Sequence, residues 1–189
     1  TAVVVAGTPG LVSSGLNALR EHEHRDRAVV RRMVTGAIAG SPVGLVLLTV
    51  LPQRGLRFAL AVAVACFVVL NVRGVRLAST GPRVDLGAGL LSGALNTMLS
   101  TNGPPLVAVL HARHLPPPVF RATLSVVFAV SSTVAIALYA ATDRYDTRSL
   151  RGIMITVPAI ALGQLLGHPL RDRVAPARFR AGVTALLAL

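Results

Sequence analysis

The sequence is poor in charge, in cysteine and in aromatic side chains. Only 14% of its 189 residues are charged, whereas a soluble domain carries about a quarter charged residues. The single cysteine, Cys66, excludes an intrachain disulfide and a metal site built from cysteines. With 53% hydrophobic residues and a mean hydropathy of +0.67, the composition predicts an integral membrane protein.

Lysine is absent, so all 19 basic side chains are arginines, and none of them lies inside a long apolar run. The arginines flank these runs instead of forming one basic stripe, which argues against nucleic acid as a partner despite the net charge of +12. The sequence therefore predicts a multi-pass protein of the cell membrane, surrounded by lipid bilayer, with no cofactor and no metal ion.

Uncharged runs that are long enough to cross a bilayer predict five helices. They cover residues 1–19, 33–51, 56–72, 122–142 and 152–170. Tyr139 and Tyr145, near the end of the fourth run, suit an aromatic belt at the membrane surface. No signal peptide is predicted at the start, and the last apolar piece, 181–189, is too short to span. We therefore expect a chain that is cut at both ends.

A sixth uncharged run, residues 86–110, is interrupted near its middle by the sequence STNGPP. Glycine and the second of two prolines disfavour a continuous helix, whereas proline suits the first position of a new one. The run therefore predicts two half-helices that meet at Asn102 and Gly103. Irregular backbone at membrane depth survives only where protein or a watery cavity satisfies it, and transporters bind substrate at such breaks.

Displacing the chain by 123 residues places Gly40 and Gly44 on Gly163 and Gly167, at the same spacing in the same kind of run. These four glycines are expected to serve close helix packing. The displacement predicts an all-α polytopic membrane protein with two repeats of transmembrane helices, each containing a broken or re-entrant helix. The halves are 1–84, a first repeat truncated at its N-terminus that lacks its broken helix, and 85–189, a second repeat truncated at its C-terminus. Together they form one membrane domain.

The arginines also bear on how the run 86–110 sits in the membrane. If it crosses fully, the loops on the two sides hold 11 and 8 arginines; if it is re-entrant, they hold 14 and 5. The second division agrees better with the positive-inside rule. It also gives each half three full crossings and one re-entrant element, as inverted repeats require. A re-entrant run is therefore favoured as a hypothesis.

Four motifs resemble the second-half pattern of the TauE/SafE family of sulfite and organosulfonate exporters. They are Gly89-Leu-Leu-Ser-Gly93, Asn102-Gly-Pro-Pro-Leu106, Leu115-Pro116 and Phe120-Arg-Ala-Thr-Leu124. The resemblance is good over 87–132 and loose over most of the chain. One departure is that the family commonly has a glycine pair before the proline, where this chain has Asn102-Gly103.

The resemblance implies a transporter, and not an enzyme, that exports a small sulfur-containing anion by alternating access, with proton coupling left open. Neutral donors around the break are expected to hold this anion, because a permanent arginine at bilayer depth would be costly. The expected substrate-binding residues are Asn96, Thr97, Ser100, Thr101, Asn102, Gly103, Pro104, Leu106, Ser131, Ser132 and Gln164. Helix capping and hydrogen bonding between helices are the alternative roles for these side chains.

A non-transport membrane scaffold or assembly protein is the alternative function, with the break as a docking notch. An intramembrane enzyme is the least supported class, because no nucleophile with a base, no carboxylate pair and no metal set lies in the predicted spans. No Asp or Glu lies there either. The sequence leaves a homo-oligomer open.

Overall fold

The computed structural model describes residues 2–20, 25–72, 81–101, 103–113 and 115–171. These residues form seven helices and no strand, which confirms the prediction of an all-α chain for the part of the sequence that is described. The helices are α1 (Ala2–Arg20), α2 (Arg27–Val50), α3 (Gln53–Val72), α4 (Pro82–Leu99), α5 (Gly103–Ala112), α6 (Pro117–Ala141) and α7 (Thr147–Arg171). By length and apolar composition, α2 and α6 are candidate membrane spans.

The second helix begins earlier than predicted because of a side-chain cap. Asp26 accepts hydrogen bonds from the backbone N–H groups of Ala28 and Val29, at 3.0 and 3.1 Å. Such a cap satisfies two N–H groups that a helix start leaves without partners. The helix therefore already begins at Arg27, six residues before the predicted run 33–51.

Prolines set the start of two other helices. Pro82 opens α4 and Pro117 opens α6, where the ring fixes a helical φ and the missing N–H costs nothing. The fourth helix thus begins four residues before the predicted uncharged run 86–110. Asp85 lies in the first turn of α4, where it is fully buried.

The predicted interruption lies between α4 and α5. The fourth helix ends at Leu99, and the fifth begins at Gly103. Ser100 follows α4 in the left-handed conformation, with φ 54° and ψ 33°, and Asn102 lies outside the described residues. Whether the two helices form one broken or re-entrant membrane element stays a prediction.

Helices α2 and α4 pack backbone against backbone. A Cβ built on Gly40 would lie 2.0 Å from the carbonyl oxygen of Leu90, and one built on Gly93 would lie 2.1 Å from that of Ala37. Three further glycines make equally close approaches: Gly36, Gly44 and Gly89. The contacting positions rise together along both helices, so α2 and α4 run parallel. The packing role predicted for Gly40 and Gly44 is therefore confirmed.

The start of α4 and the end of α5 lie side by side. The Arg113 side chain, just after α5, binds the carboxylate of Asp85 in the first turn of α4 at 2.7 and 2.8 Å. Two helices of about 27 and 15 Å that continued in one direction would hold these residues far apart. The fourth and fifth helices therefore form a hairpin, called the α4–α5 hairpin below.

Several arginines gather where this hairpin opens. The Asp26 N–H, just before α2, donates to Thr123 Oγ1 near the start of α6 at 3.4 Å, so α2, α4 and α6 all begin at the same end. We call this the arginine-rich end, and its arginines are Arg25, Arg27, Arg31, Arg32, Arg83, Arg113 and Arg121. At the opposite end, Leu45 and Leu48 of α2 pack against Ala135 and Tyr139 of α6.

The glycine contacts can be tested with two substitutions on one helix. Gly93→Ala forces a methyl group onto the Ala37 carbonyl, so we expect it to lower the free energy of unfolding by about 1–3 kcal/mol. Gly87→Ala is the control, because no described atom lies within 4 Å of a Cβ built on Gly87. It should be neutral or stabilise by up to about 1 kcal/mol. Thermal unfolding in detergent measures both, and equal shifts would contradict the packing.

Candidate functional site

A small cavity lies at the end of α4 that faces away from the arginine-rich end. Its volume is about 50 Å³, which is room for a few water molecules or for one small ion at roughly 10–15 Å³ per water. Three helices contribute its wall. The lining residues are Gly7, Gly10 and Ser14 of α1, Asn96 of α4, Ser100 directly after α4, and Phe128 and Ser132 of α6.

Three of the predicted site residues meet at this cavity: Asn96, Ser100 and Ser132. Asn96 and Ser132 are each only 4% exposed, and neither side chain hydrogen-bonds with another described residue. Amide and hydroxyl groups that are buried in proteins normally have partners. The side chains of Asn96 and Ser132 therefore have hydrogen-bonding capacity left for a molecule in the cavity.

Three other predicted residues do not line the cavity, and two of them donate hydrogen bonds to backbone carbonyls. Thr101 Oγ1 donates to the Leu99 carbonyl at 3.3 Å, and Ser131 Oγ donates to the Phe128 carbonyl at 3.2 Å. Thr97 is fully buried, and its Oγ1 has no hydrogen-bond partner among the described residues. These three side chains do not line the cavity.

The fifth helix contributes no residue to the described lining of the cavity. A Cβ built on Gly103 would lie 3.9 Å from Phe128 Cζ, so the start of α5 is close to a lining side chain. Pro104 is half-buried and Leu106 is fully buried in the apolar core, and neither lines the cavity. Two predicted residues cannot be located, because Asn102 and the side chain of Gln164 lie outside the described residues.

The wall formed by α1 was not predicted. Ser14 is buried and its hydroxyl donates to the Gly10 carbonyl one turn earlier. A Cβ built on Gly7 would lie 3.7 Å from Ser100 Oγ, so α1 lies close to the end of α4 at this point. The 123-residue displacement places Ser14 on position 137, five residues beyond Ser132, so the repeat gives no signal for this wall.

Ser100 holds its place on the wall in a backbone conformation that glycine usually takes. A left-handed residue after a helix is most often glycine, because a Cβ is disfavoured there. The Ser100 N–H donates to the Asn96 carbonyl at 2.8 Å and so closes the last turn of α4. Non-glycine residues in this region tend to cluster at functional sites. The serine in place of glycine therefore points to a use for its side chain.

Tyr139 ties this end of α4 to α6. Its hydroxyl donates to the backbone carbonyl of Thr97, and the side chain is fully buried. The prediction of a membrane-surface role is therefore wrong for Tyr139. The bond satisfies a polar group close to the break in α4, where the helix has no further turn to do so.

The cavity is neutral, whereas the other end of α4 is charged. None of the described lining residues carries a charge. Asp85 lies 11 residues before Asn96, which is about 16 Å along the helix. Among the residues that the structure describes, no group of three or more His, Cys, Asp or Glu side chains could hold a metal ion. The cavity suits a small polar ligand held by hydroxyl and amide groups.

Comparisons with known proteins give one family and two relatives. The family described as sulfite exporter TauE/SafE matches residues 1–189. The probable inner membrane transporter protein TsaS of Comamonas testosteroni is 26% identical over 190 residues, which cover 98% of this chain and 77% of that protein. The probable sulfite/organosulfonate exporter TauE of Cupriavidus necator is 30% identical over 93 residues, which cover 49% of this chain and 36% of that protein. No solved structure matches the chain.

The tyrosine bond near the break gives a testable prediction. Tyr139→Phe leaves the buried Thr97 carbonyl without its donor, so we expect the free energy of unfolding to fall by about 1–3 kcal/mol. Tyr145→Phe is a matched control, because the Tyr145 hydroxyl bonds to no other described residue. Thermal unfolding of both variants in detergent measures the difference, and an equal loss in the two would refute the assignment.

Proposed function

This chain belongs to the TauE/SafE family, and on that premise we propose that it exports a small sulfur-containing anion, sulfite or an organosulfonate, by alternating access. The family is one of membrane transporters and not of enzymes, so the chain is a protein of the cell membrane. Its two relatives are named as an inner membrane transporter and as a sulfite/organosulfonate exporter. What is proposed is the substrate, the direction of transport and the mechanism.

The cavity at the end of α4 is the observation that carries the proposal. It brings the Asn96 amide and the hydroxyls of Ser100 and Ser132 together in a space that fits an anion with a few oxygen atoms. Each of these groups donates a hydrogen bond to an oxygen acceptor without carrying charge. Binding by neutral donors is weaker than binding by arginine, so an anion held in this way is also released.

The α4–α5 hairpin supports a re-entrant element. Since Arg113 binds Asp85, the chain that leaves along α4 returns along α5 to the arginine-rich end. This is the arrangement that places 14 of the 19 arginines on one side of the membrane. Such an element brings a break in the backbone to membrane depth, where it is tolerated if it lines a cavity.

The order of the helices supports inverted repeats. Displaced by 123 residues, α1 falls on α6 and α2 falls on α7. Gly7 lies near Ser100, and only four residues separate the end of α1 from Arg25, so α1 runs toward the arginine-rich end, where α6 begins. The two helices therefore run in opposite directions. Opposite directions of related helices are what an inverted repeat requires, and rocking of such repeats gives alternating access. The proposed units are the halves 1–84 and 85–189.

Blocking the cavity tests its role in transport. No described atom lies within 4 Å of a Cβ built on Gly10, so Gly10→Val should fold but place three carbon atoms in or beside a space that takes only a few water molecules. We expect the variant to lose most of its sulfite flux in proteoliposomes and its sulfite binding in detergent. Gly15→Val is the control, because Gly15 has equal room on the same helix and does not line the cavity. Equal flux in the two variants would show that the cavity is not on the transport path. A wild-type protein that moves neither sulfite nor methanesulfonate would refute the export proposal.

Labelling from the two sides of the membrane tests the re-entrant hairpin. Single cysteines replace Arg83 before the hairpin and Pro116 after it, in a Cys66→Ser background; both positions are exposed. We expect an impermeant maleimide to label both from the same side of oriented vesicles. A third cysteine at Asp143, beyond α6, should react from the opposite side and serves as the control. Labelling of positions 83 and 116 from opposite sides would show that α4 and α5 cross the membrane together.

A further inference from the structure

Three charged side chains meet at the open end of the α4–α5 hairpin. The Asp85 carboxylate is fully buried, and both of its oxygens are bound. Arg113 donates from Nε and Nη2 to Oδ1, at 3.1 and 2.7 Å, and from Nη2 to Oδ2 at 2.8 Å. Arg32 of α2 donates to Oδ2 at the longer distance of 3.4 Å. The close, forked contact therefore joins α4 to the end of α5, and Arg32 adds a weaker link to α2.

We propose that Asp85 and Arg113 are positioning residues of the anion site. Their ion pair closes the base of the α4–α5 hairpin, and in doing so it fixes the distance between the end of α4 and the start of α5 at the break. Neither residue touches the anion in this proposal, which rests on the proposed function of the cavity. The role was not foreseen in the sequence, where the two residues are 28 positions apart.

The two arms of the hairpin are held in different ways. The glycine contacts lock α4 to α2 from Leu86 to Ala94, so α4 cannot shift without a clash between backbones. The fifth helix has ten residues and is held by apolar contacts of Leu106, Val109 and Leu110. Inside a bilayer such contacts have little advantage over contacts with lipid. The ion pair is therefore the directional restraint on α5.

A shift of α5 would reach the cavity through its first residue. Gly103 lies close to Phe128, since a Cβ built on it would be 3.9 Å from Phe128 Cζ, and Phe128 lines the cavity together with Ser132 on the same helix. Two residues, 101 and 102, connect α5 to Ser100 at the opposite side of the break. Loosening the base of the hairpin thus moves two parts of the wall and changes how well the donors converge on an anion.

Four variants separate positioning from charge alone. Asp85→Glu keeps the charge but lengthens the side chain by one methylene, and Arg113→Lys keeps the charge but removes the fork. Asp85→Asn with Arg113→Gln removes both charges together, which avoids leaving one buried charge unpaired. Arg83→Gln is the matched control, because Arg83 is an exposed arginine of the same end that does not bind Asp85.

Sulfite affinity is the readout that a merely structural role would not change. We expect the first three variants to bind sulfite roughly two- to thirtyfold more weakly per folded molecule, the range for residues that act on a site from a distance. Arg83→Gln should bind like the wild type. The single variants Asp85→Asn and Arg113→Gln complete a double-mutant cycle, in which we expect coupling between the two positions.

Spin labels give a second readout that does not depend on sulfite. Cysteines at the exposed positions Gly87 and His111, in a Cys66→Ser background, report the separation of the two arms near the base. We expect one narrow distance distribution with the pair intact and a broader or longer one in Asp85→Asn with Arg113→Gln. An unchanged distance distribution would overturn the proposal that the ion pair holds the two arms in position.

The outcomes distinguish this proposal from the proposed function. If the wild type does not bind sulfite, the function proposed for the cavity fails. The spin labels still test whether the ion pair holds the two arms of the hairpin together. If the wild type binds sulfite and the folded variants bind it equally well, the positioning role is refuted. A lower yield of folded protein with unchanged sulfite affinity would likewise show that the ion pair has only a structural role.

Discussion

The contact of α2 with α4 through glycine is the constraint on which the rest of the structure depends. Inside a bilayer, apolar side chains gain little by leaving lipid for each other, so helices associate through close packing and polar bonds. Five glycines let the two backbones meet at distances that no side chain would permit, where Cα–H groups face carbonyl oxygens. This interface fixes α4 in direction and depth. The positions of Asp85 at one end of α4 and of Ser100 at the other follow from it.

Charged and neutral polar groups lie at opposite ends of α4. Formal charge is kept at the arginine-rich end, where Asp85 is satisfied by two arginines and the arginine side chains still reach solvent, at 17% and 34% exposure. A buried charge is tolerable only with such partners. At the other end, the polar groups are hydroxyls and an amide, whose burial costs far less. A helix that is held in place by glycine can thus present a neutral site in the membrane and an ion pair at its edge.

The sequence revealed the parts of this arrangement that depend on local chemistry. The break near Gly103 follows from glycine and two prolines, and the packing of Gly40 follows from its spacing to Gly44. The role of Asp85 was missed because the uncharged run begins one residue later and because its partner lies on another helix. The α1 wall at Ser14 was missed for the same kind of reason, since it depends on tertiary packing. Tyr139 was misplaced because a tyrosine near a helix end also suits a membrane surface.

The ion pair also bears on how an anion can leave. A guanidinium fork binds anions more strongly than neutral donors do, because it offers parallel donors with a full charge. In this hairpin, the Arg113 fork is filled by the chain's own carboxylate, Asp85. On the proposed function, Arg113 does not compete for an anion at the cavity, because its forked donors are engaged by Asp85. The same bond that holds α5 in place thus leaves the proposed anion site to the neutral donors of the cavity.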